Sequence, residues 1–346
     1  MNSKQIRNPQ PEFRNSPEVT VVVVPRERFS HAAHSLESIY EHTDIPFSLV
    51  YVDGGSPTRI RRYLAQQARL KNFKLIRTER YLSPNQARNL GFQQVDTKYV
   101  VFIDNDAMVS PGWLQPLIDC AQDTGAWVVG PLTLLGTPGP QEIHAAGGTV
   151  GIKEEQGRRV FVTSHGLAGE TLANVSAALK SEETGLVEFH CMLVLTDACR
   201  RTGPLDEQLF SVHEHEDFCL LVRELGGAVY FEPRSVITYV APPPFAWSDL
   251  PFFMLRWSEV WNSNSQQRFQ DKWKLSNDDW NVTHTREWAR DHRLIPLSLV
   301  RRITRRLGRA CGWPPERREQ ACVLPLEERI NHYLVSSIGP RPEIKT

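Results

Sequence analysis

No stretch of the 346 residues approaches the roughly 18 consecutive apolar residues that a membrane span needs. Residues 1–17 are polar, contain three prolines and lack the apolar core of a secretory leader, so they read as a disordered lead-in. Neither sign of charge dominates. Lys+Arg and Asp+Glu stand at 40 each, which removes the basic excess expected of a nucleic-acid binder. Cysteine is sparse and unpatterned. Cys120, Cys191, Cys199, Cys219, Cys311 and Cys322 include no C-x-x-C pair, which argues against a zinc knuckle or a disulfide framework and for small buried hydrophobes. Without a leader the expected compartment is the reducing cytoplasm. There, the acceptor-like triplet Asn281-Val282-Thr283 has no consequence.

What the chain does have is alternation. Val19 to Val24 is β-branched and apolar on both faces, as a central parallel strand would be. Further strands are expected over Phe47–Asp53, Phe73–Thr78, Tyr99–Asp104 and Ala126–Gly130. Amphipathic helices fall between them over His31–His42, Thr58–Leu70, Pro84–Val95 and Pro111–Asp123. Strand and helix at this spacing predict βαβ units, hence an α/β fold with a mostly parallel central sheet flanked by helices. Two of the strands end in acids, at Asp53 and at Asp104-Asn105-Asp106. Ligands of open α/β sheets bind beyond the carboxyl ends of the strands, so both acidic ends fall on one rim. In extended backbone residues i and i+2 face one side, so Asp104 and Asp106 are expected to converge as a hard-oxygen site for Mg²⁺ or Mn²⁺.

From Pro131 the rhythm changes. Gly136 to Gly169 is rich in loop formers, with hairpin strands expected at Gly148–Ile152 and Arg159–Thr163; it reads as an insertion forming part of a substrate cleft or lid. Leu186–Leu195 and Ala228–Glu232 read as strands, and Glu214–Leu225 as a helix. That helix opens on a third acidic station, His213-Glu214-His215-Glu216-Asp217. Acids are favoured at a helix start by its dipole alone. Yet a group transfer from a diphosphate needs both a metal to neutralise the leaving group and a carboxylate to take the proton of the attacking hydroxyl. The two strand-end acids and this station supply those parts. Glu214 and Asp217, at i,i+3, share a helix face, while Glu216 is expected to point elsewhere. His144 is expected to be a loop histidine without a partner, with a donor-sugar or acceptor contact as the alternative, and His190 a strand residue packed near the site.

Four segments in order carry a resemblance. Val50-Tyr-Val-Asp-Gly-Gly-Ser56, Ser83-Pro-Asn-Gln-Ala-Arg-Asn-Leu-Gly91, Phe102-Ile-Asp-Asn-Asp106, and Gly203-Pro-Leu-Asp-Glu207 through Leu220 resemble the V-D-x-G-S, A-R-N-x-G, D-x-D and G-x-x-D-E…E-D motifs of GT-A-fold glycosyltransferases of family 2. The likeness runs from about Val19 to Val240. It implies an inverting, metal-dependent hexosyltransferase, using a nucleotide-diphosphate sugar, a hydroxyl acceptor on a glycan or lipid-linked saccharide, and Mn²⁺ or Mg²⁺. It assigns Asp53, Gly54, Arg88, Asn89, Asp104 and Asn105 to the donor or its cleft, Asp104 and Asp106 to the metal, and Glu214, Asp217 or Glu216 to the base. Three positions depart from the pattern. Pro25-Arg26-Glu27 replaces a polar turn, His215 stands where an Asp is usual, and Tyr239 stands where many relatives carry a metal-ligating His. The alternatives are an inactive nucleotide-sugar or glycan-binding protein and a sugar nucleotidyltransferase. The latter would want a Gly-rich, Lys-containing loop after the first strand, where Pro25-Arg-Glu-Arg28 stands instead.

The expected domain runs over 18–243, with a nucleotide-binding half to about 130 and an acceptor half beyond. A helical extension follows over 244–346. Trp247, Trp257, Trp261, Trp273 and Trp280 open it and are expected to pack against the main domain. Near 295–310, Leu299, Val300, Ile303 and Leu307 fall on one helical face and Arg301, Arg302, Arg305, Arg306 and Arg309 on the other. Such a helix either shows solvent a charged face or lies on an anionic membrane, which would put the protein at the inner membrane face.

Overall fold

The computed structural model describes residues 17–136, 141–241, 244–276, 279–310, 314 and 319–338, without the side chains of 283 and 307–310. The lead-in (except Pro17), Cys311 and the 243/244 boundary lie outside the described residues, as do the side chains of Leu307 and Arg309.

Strands β1 (Val19–Val24), β2 (Ser48–Gly54), β3 (Lys74–Thr78) and β4 (Tyr99–Asp104) are joined by helices α1 (Ala32–Glu41), α2 (Thr58–Lys71) and α3 (Pro84–Phe92). After β4 come β5 (Ala107–Val109), α4 (Leu114–Thr124), β6 (Val128–Leu135), β7 (Glu142–Ala145) and the hairpin β8 (Gly148–Glu155) and β9 (Arg158–His165). Then follow α5 (Leu172–Val175), β10 (Glu182–Glu183), β11 (Cys191–Leu195), α6 (Thr196–Thr202), α7 (Glu214–Glu224) and β12 (Val229–Tyr239). The rest is helical: α8 (Leu250–Arg256), α9 (Glu259–Trp273), α10 (Trp280–Leu294), α11 (Ser298–Ala310) and α12 (Leu324–Ile338).

The main sheet runs β10-β12-β6-β11-β4-β1-β2-β3, with β5 on β12 and β7 on β6. Its left and right parts are parallel, as expected. Inside the sheet β11 is antiparallel to both β4 and β6, and the short strands β10, β5 and β7 also pair antiparallel with their neighbours. It begins at Cys191, five residues later than the apolar run from Leu186 suggests. The late start leaves Glu188 and His190 in the turn that leads into the strand. Strand β12 outruns its expected end at Glu232 by crossing a bulge before Val236, and so reaches Tyr239 at the rim.

Both faces of β1 are covered. Val22 and Val24 pack in the core under α3 and α7, and Val19, Val21 and Val23 in the core under α1 and α4. Helix α3 is set with care. Ser83 and Gln86 cap its start reciprocally, and Pro84 takes the first turn. Near its end a Cβ at Gly91 would come 2.3 Å from Val22 Cγ1, so only glycine lets α3 lie this close to β1. Glycine in the A-R-N-L-G segment thus serves packing. It also brings Arg88 under the end of β4.

The free cysteines Cys120, Cys191, Cys199 and Cys219 are buried as expected, and Cys322 is exposed. Trp257, Trp261 and Trp273 are buried, whereas Trp247 and Trp280 face solvent. Among the described residues no helix is long and apolar enough to cross a membrane.

Candidate active site

A cleft of about 490 Å³ opens at the carboxyl ends of the strands. Its walls include Arg26 and Glu27 after β1, His144 of β7, His165 of β9, Glu188 and His190 before β11, His213 to Glu216 at the start of α7, and Trp257 and Trp288 from the extension.

The sequence places Asp104 and Asp106 on one face; the structure gives them different surroundings, with the Asp104 charge still felt at Asp106. Extended backbone ends at Asp104, and Asn105-Asp106 form the turn into β5, so the i,i+2 relation no longer holds. Asp104 is fully buried and surrounded by nitrogen. Arg88 Nη2 donates to its Oδ1 at 3.1 Å, and His190 Nδ1 and Arg26 Nε lie 3.0 and 3.7 Å from its Oδ2. Burial alone would raise its pKa, but His190, Arg26 and Arg88 outweigh it and hold the carboxyl below its usual value. Asp106 is the opposite case. It is fully buried, neither oxygen has a hydrogen-bond partner among the described residues, and burial and the nearby Glu27 push its pKa well up. A buried carboxylate in that condition keeps its proton or takes a cation. The donor set around Asp106, hard oxygen with Glu27 close by, fits Mg²⁺ or Mn²⁺; Asp104, already neutralised, does not.

The other residues assigned to the donor hold the cleft's frame instead of facing it. Asp53 accepts from Ser56 N and Oγ at 2.9 Å each and pairs with Arg77. Gly54 packs against Pro25 and Leu82. Arg88 is fully buried, with its guanidinium 4.0 Å from the Phe189 ring centre. Asn89 exchanges hydrogen bonds with the backbone of Leu205, tying α3 to the G-P-L-D-E turn. Asn105 accepts from Arg26 N and donates to Arg28 O, fixing the loop after β1.

The third station splits the same way. Glu214 lines the cleft but accepts from Arg256 Nη2 at 2.9 Å, and Arg26 Nη1 is 3.9 Å away. Asp217 turns from the cleft into α9, accepting from Lys272 Nζ at 2.7 Å and Trp273 Nε1 at 2.8 Å. Glu216, expected to point elsewhere, lines the cleft. His213, just before α7, has left-handed backbone (φ 68°) and stacks its ring on Phe269. Glu216 Oε2 lies 3.2 Å from His215 Nε2. Burial opposes its charge, but His215 and His213 prevail and hold its pKa at about 2. His215 itself is pushed below 6.5 by burial.

Residues 20–171 match the model of glycosyl transferase family 2. A solved structure of GalNAc-T7 with UDP, GalNAc and Mn²⁺ is similar in fold at 17% identity, with a TM-score of 0.53 over 81% of this chain and 55% of that one. This chain therefore spans little more than half of that relative. A search of curated proteins finds no match. Residues 20–171 are thus similar to glycosyl transferase family 2, in a chain of GT-A-like fold.

The cleft's cation and its histidines stand out in the structure more than in the residue order. Arg26 sits among Asp104, Glu27 and Glu214. Burial works against its charge, but those carboxylates keep it firmly protonated. Tyr239, in place of a histidine, donates to Glu27 Oε2 at 2.8 Å. His144 does have a partner: its Nε2 lies 3.0 Å from Glu188 Oε2. His165 was not singled out, and its Nε2 lies 3.0 Å from Glu188 Oε1. Their one shared sequence signal is composition, histidines next to strand ends, and only the fold brings them together.

The hydrogen bond to Glu188 raises the pKa of His165 from 6.5 to about 9. Its contribution to stability is therefore complete below about pH 6.5 and disappears as pH rises through about 9. Melting temperatures measured in EDTA at pH 6.5 and 9.5 should show a larger fall for the natural protein than for His165→Gln. Equal falls would remove the ion pair.

Proposed function

We propose that the chain is an inverting glycosyltransferase of hexosyl type, moving a sugar from a nucleoside-diphosphate donor to a hydroxyl of a saccharide. The observation that carries this reading is the cleft. It lies where α/β sheets bind ligands, within a family 2 domain, and has a charged arginine and a histidine–acid wall on its surface. Similarity to a fold solved with UDP and Mn²⁺ supports a donor of that class and a divalent cation.

Arg26 binds and orients the donor diphosphate, since it is charged and lines the cleft. Asp106, with Glu27, would hold Mg²⁺ or Mn²⁺, which when bound supplies positive charge to the leaving diphosphate. Of the three candidate acids, Glu216 lines the cleft with histidine partners only. It is ionised at neutral pH and lies beside an uncharged His215. The acceptor hydroxyl gives its proton to the His215 imidazole, and Glu216 stabilises the imidazolium. The freed oxygen bonds to the anomeric carbon as the bond from that carbon to the diphosphate oxygen breaks, its electron pair leaving with the diphosphate. One base station without a nucleophile supports inversion.

The acceptor is proposed to be lipid-linked, on a separate observation. On α11 Leu299 is 60% exposed and Ile303 50%, next to the exposed Arg302, Arg305 and Arg306. Apolar and cationic side chains exposed together suit an anionic membrane surface at the cytoplasmic face.

In a thermal-shift panel with Mn²⁺, at least one nucleotide sugar should raise the melting temperature; no shift with any donor contradicts the reading. With that donor, Glu216→Gln should lower kcat about 10²–10⁴-fold with donor affinity kept. Asp217→Ala should cost about 1–3 kcal/mol of stability, through the stranded Lys272 and Trp273 donors, with turnover retained. The reverse pattern would move the base to Asp217. The chain should also sediment with vesicles containing anionic lipid and not with neutral ones, and Leu299→Asp/Ile303→Asp should abolish this; indifference to vesicle charge contradicts the membrane contact.

A further inference from the structure

The cleft wall holds a group of nitrogen and oxygen atoms that the transfer chemistry leaves unused. His144, Glu188 and His190 each offer one potential ligand atom, and the three atoms lie within 4.8 Å of one another. His144 Nε2 is 3.0 Å and His190 Nε2 4.0 Å from Glu188 Oε2. Ligand atoms bonded to one ion at about 2.0–2.2 Å lie roughly 3–4 Å apart, so the spacing is that of a shared ion.

The rings are also held as ligands are held. His190 has Nδ1 3.0 Å from Asp104 Oδ2, which favours the tautomer with its proton on Nδ1 and leaves Nε2 bare toward Glu188. Its ring stacks on Tyr239 with centroids 4.1 Å apart, and His144 meets it edge-on at 5.2 Å. The other oxygen of Glu188 faces His165, which fixes the carboxylate plane. A carboxylate behind a histidine that points at a third group is the supporting shell of many metal sites.

We infer that His144, Glu188 and His190 form a binding site for one transition-metal dication, Zn²⁺ foremost. Two imidazoles and one carboxylate are the ligand set of open zinc sites, and imidazole discriminates against Mg²⁺ and Ca²⁺. All three residues line the cleft. The site is distinct from the oxygen set at Asp106, and it stands or falls apart from glycosyl transfer.

The test uses the full chain stripped with a chelator. Titration calorimetry with ZnCl₂ and with MgCl₂, and metal content after gel filtration, give affinity and stoichiometry; Co²⁺ loading gives a visible absorption spectrum that reports nitrogen ligands. Close to one equivalent of Zn²⁺ should bind, with no heat from Mg²⁺ at the same concentrations. Glu188→Gln and, separately, His144→Ala should each weaken Zn²⁺ at least 10-fold, with circular-dichroism melts confirming that both variants fold. Asp106→Asn should leave the Zn²⁺ affinity unchanged. Absence of Zn²⁺ binding, affinity that survives both ligand substitutions, or loss with Asp106→Asn would each overturn the site.

Discussion

One buried negative charge organises the centre of this protein. Asp104 ends the fourth strand with no exposure to solvent, and an isolated carboxylate there would cost several kcal/mol. Arg88, Arg26 and His190 offset that cost, and each comes from a different part of the chain. Arg88 arrives because Gly91 lets α3 lie on β1; Arg26 because Asn105 pins the loop after β1; His190 because β11 starts late. The same three residues then border the cleft or stand behind it. Removing the charge would free all three cationic or polar groups at once, so position of the cleft wall and neutralisation of Asp104 are one constraint.

The helical extension completes this arrangement. Asp249 accepts from the backbone of Phe29 and Ser30, which steadies the Arg26–Glu27 loop. Arg256 neutralises Glu214, and Lys272 with Trp273 neutralises Asp217. Two of the three acids at the start of α7 are thus consumed by the extension, which leaves Glu216 and His215 facing the cleft. Which acid remains available follows from where α8 and α9 dock.

Much of the fold could be read from residue order. The β-branched run at Val19–Val24 and the alternation that follows give β1 to β4 and their helices to within a few residues, because periodicity and burial on both faces are local properties. The antiparallel β11 was not legible, since an apolar strand looks alike in either direction. The site was legible as a set of motifs and not as a set of roles. Asp53, Arg88, Asn89 and Asn105 carry the pattern of a ligand shell, yet each is consumed by a partner far away in sequence. Whether a polar side chain faces a cleft or a neighbour depends on tertiary partners. The histidines on β7, on β9 and before β11 show the converse, since no spacing joins them in the chain and the sheet brings them to one carboxylate.

Asp104 serves as the counter-charge of a buried cation set. A double-mutant cycle of Asp104→Asn and Arg88→Met, read by urea denaturation of the four proteins, tests it most directly. A coupling of about 2–3 kcal/mol is expected, with the double variant far less destabilised than the sum of the singles. Additivity within about 0.5 kcal/mol would contradict it.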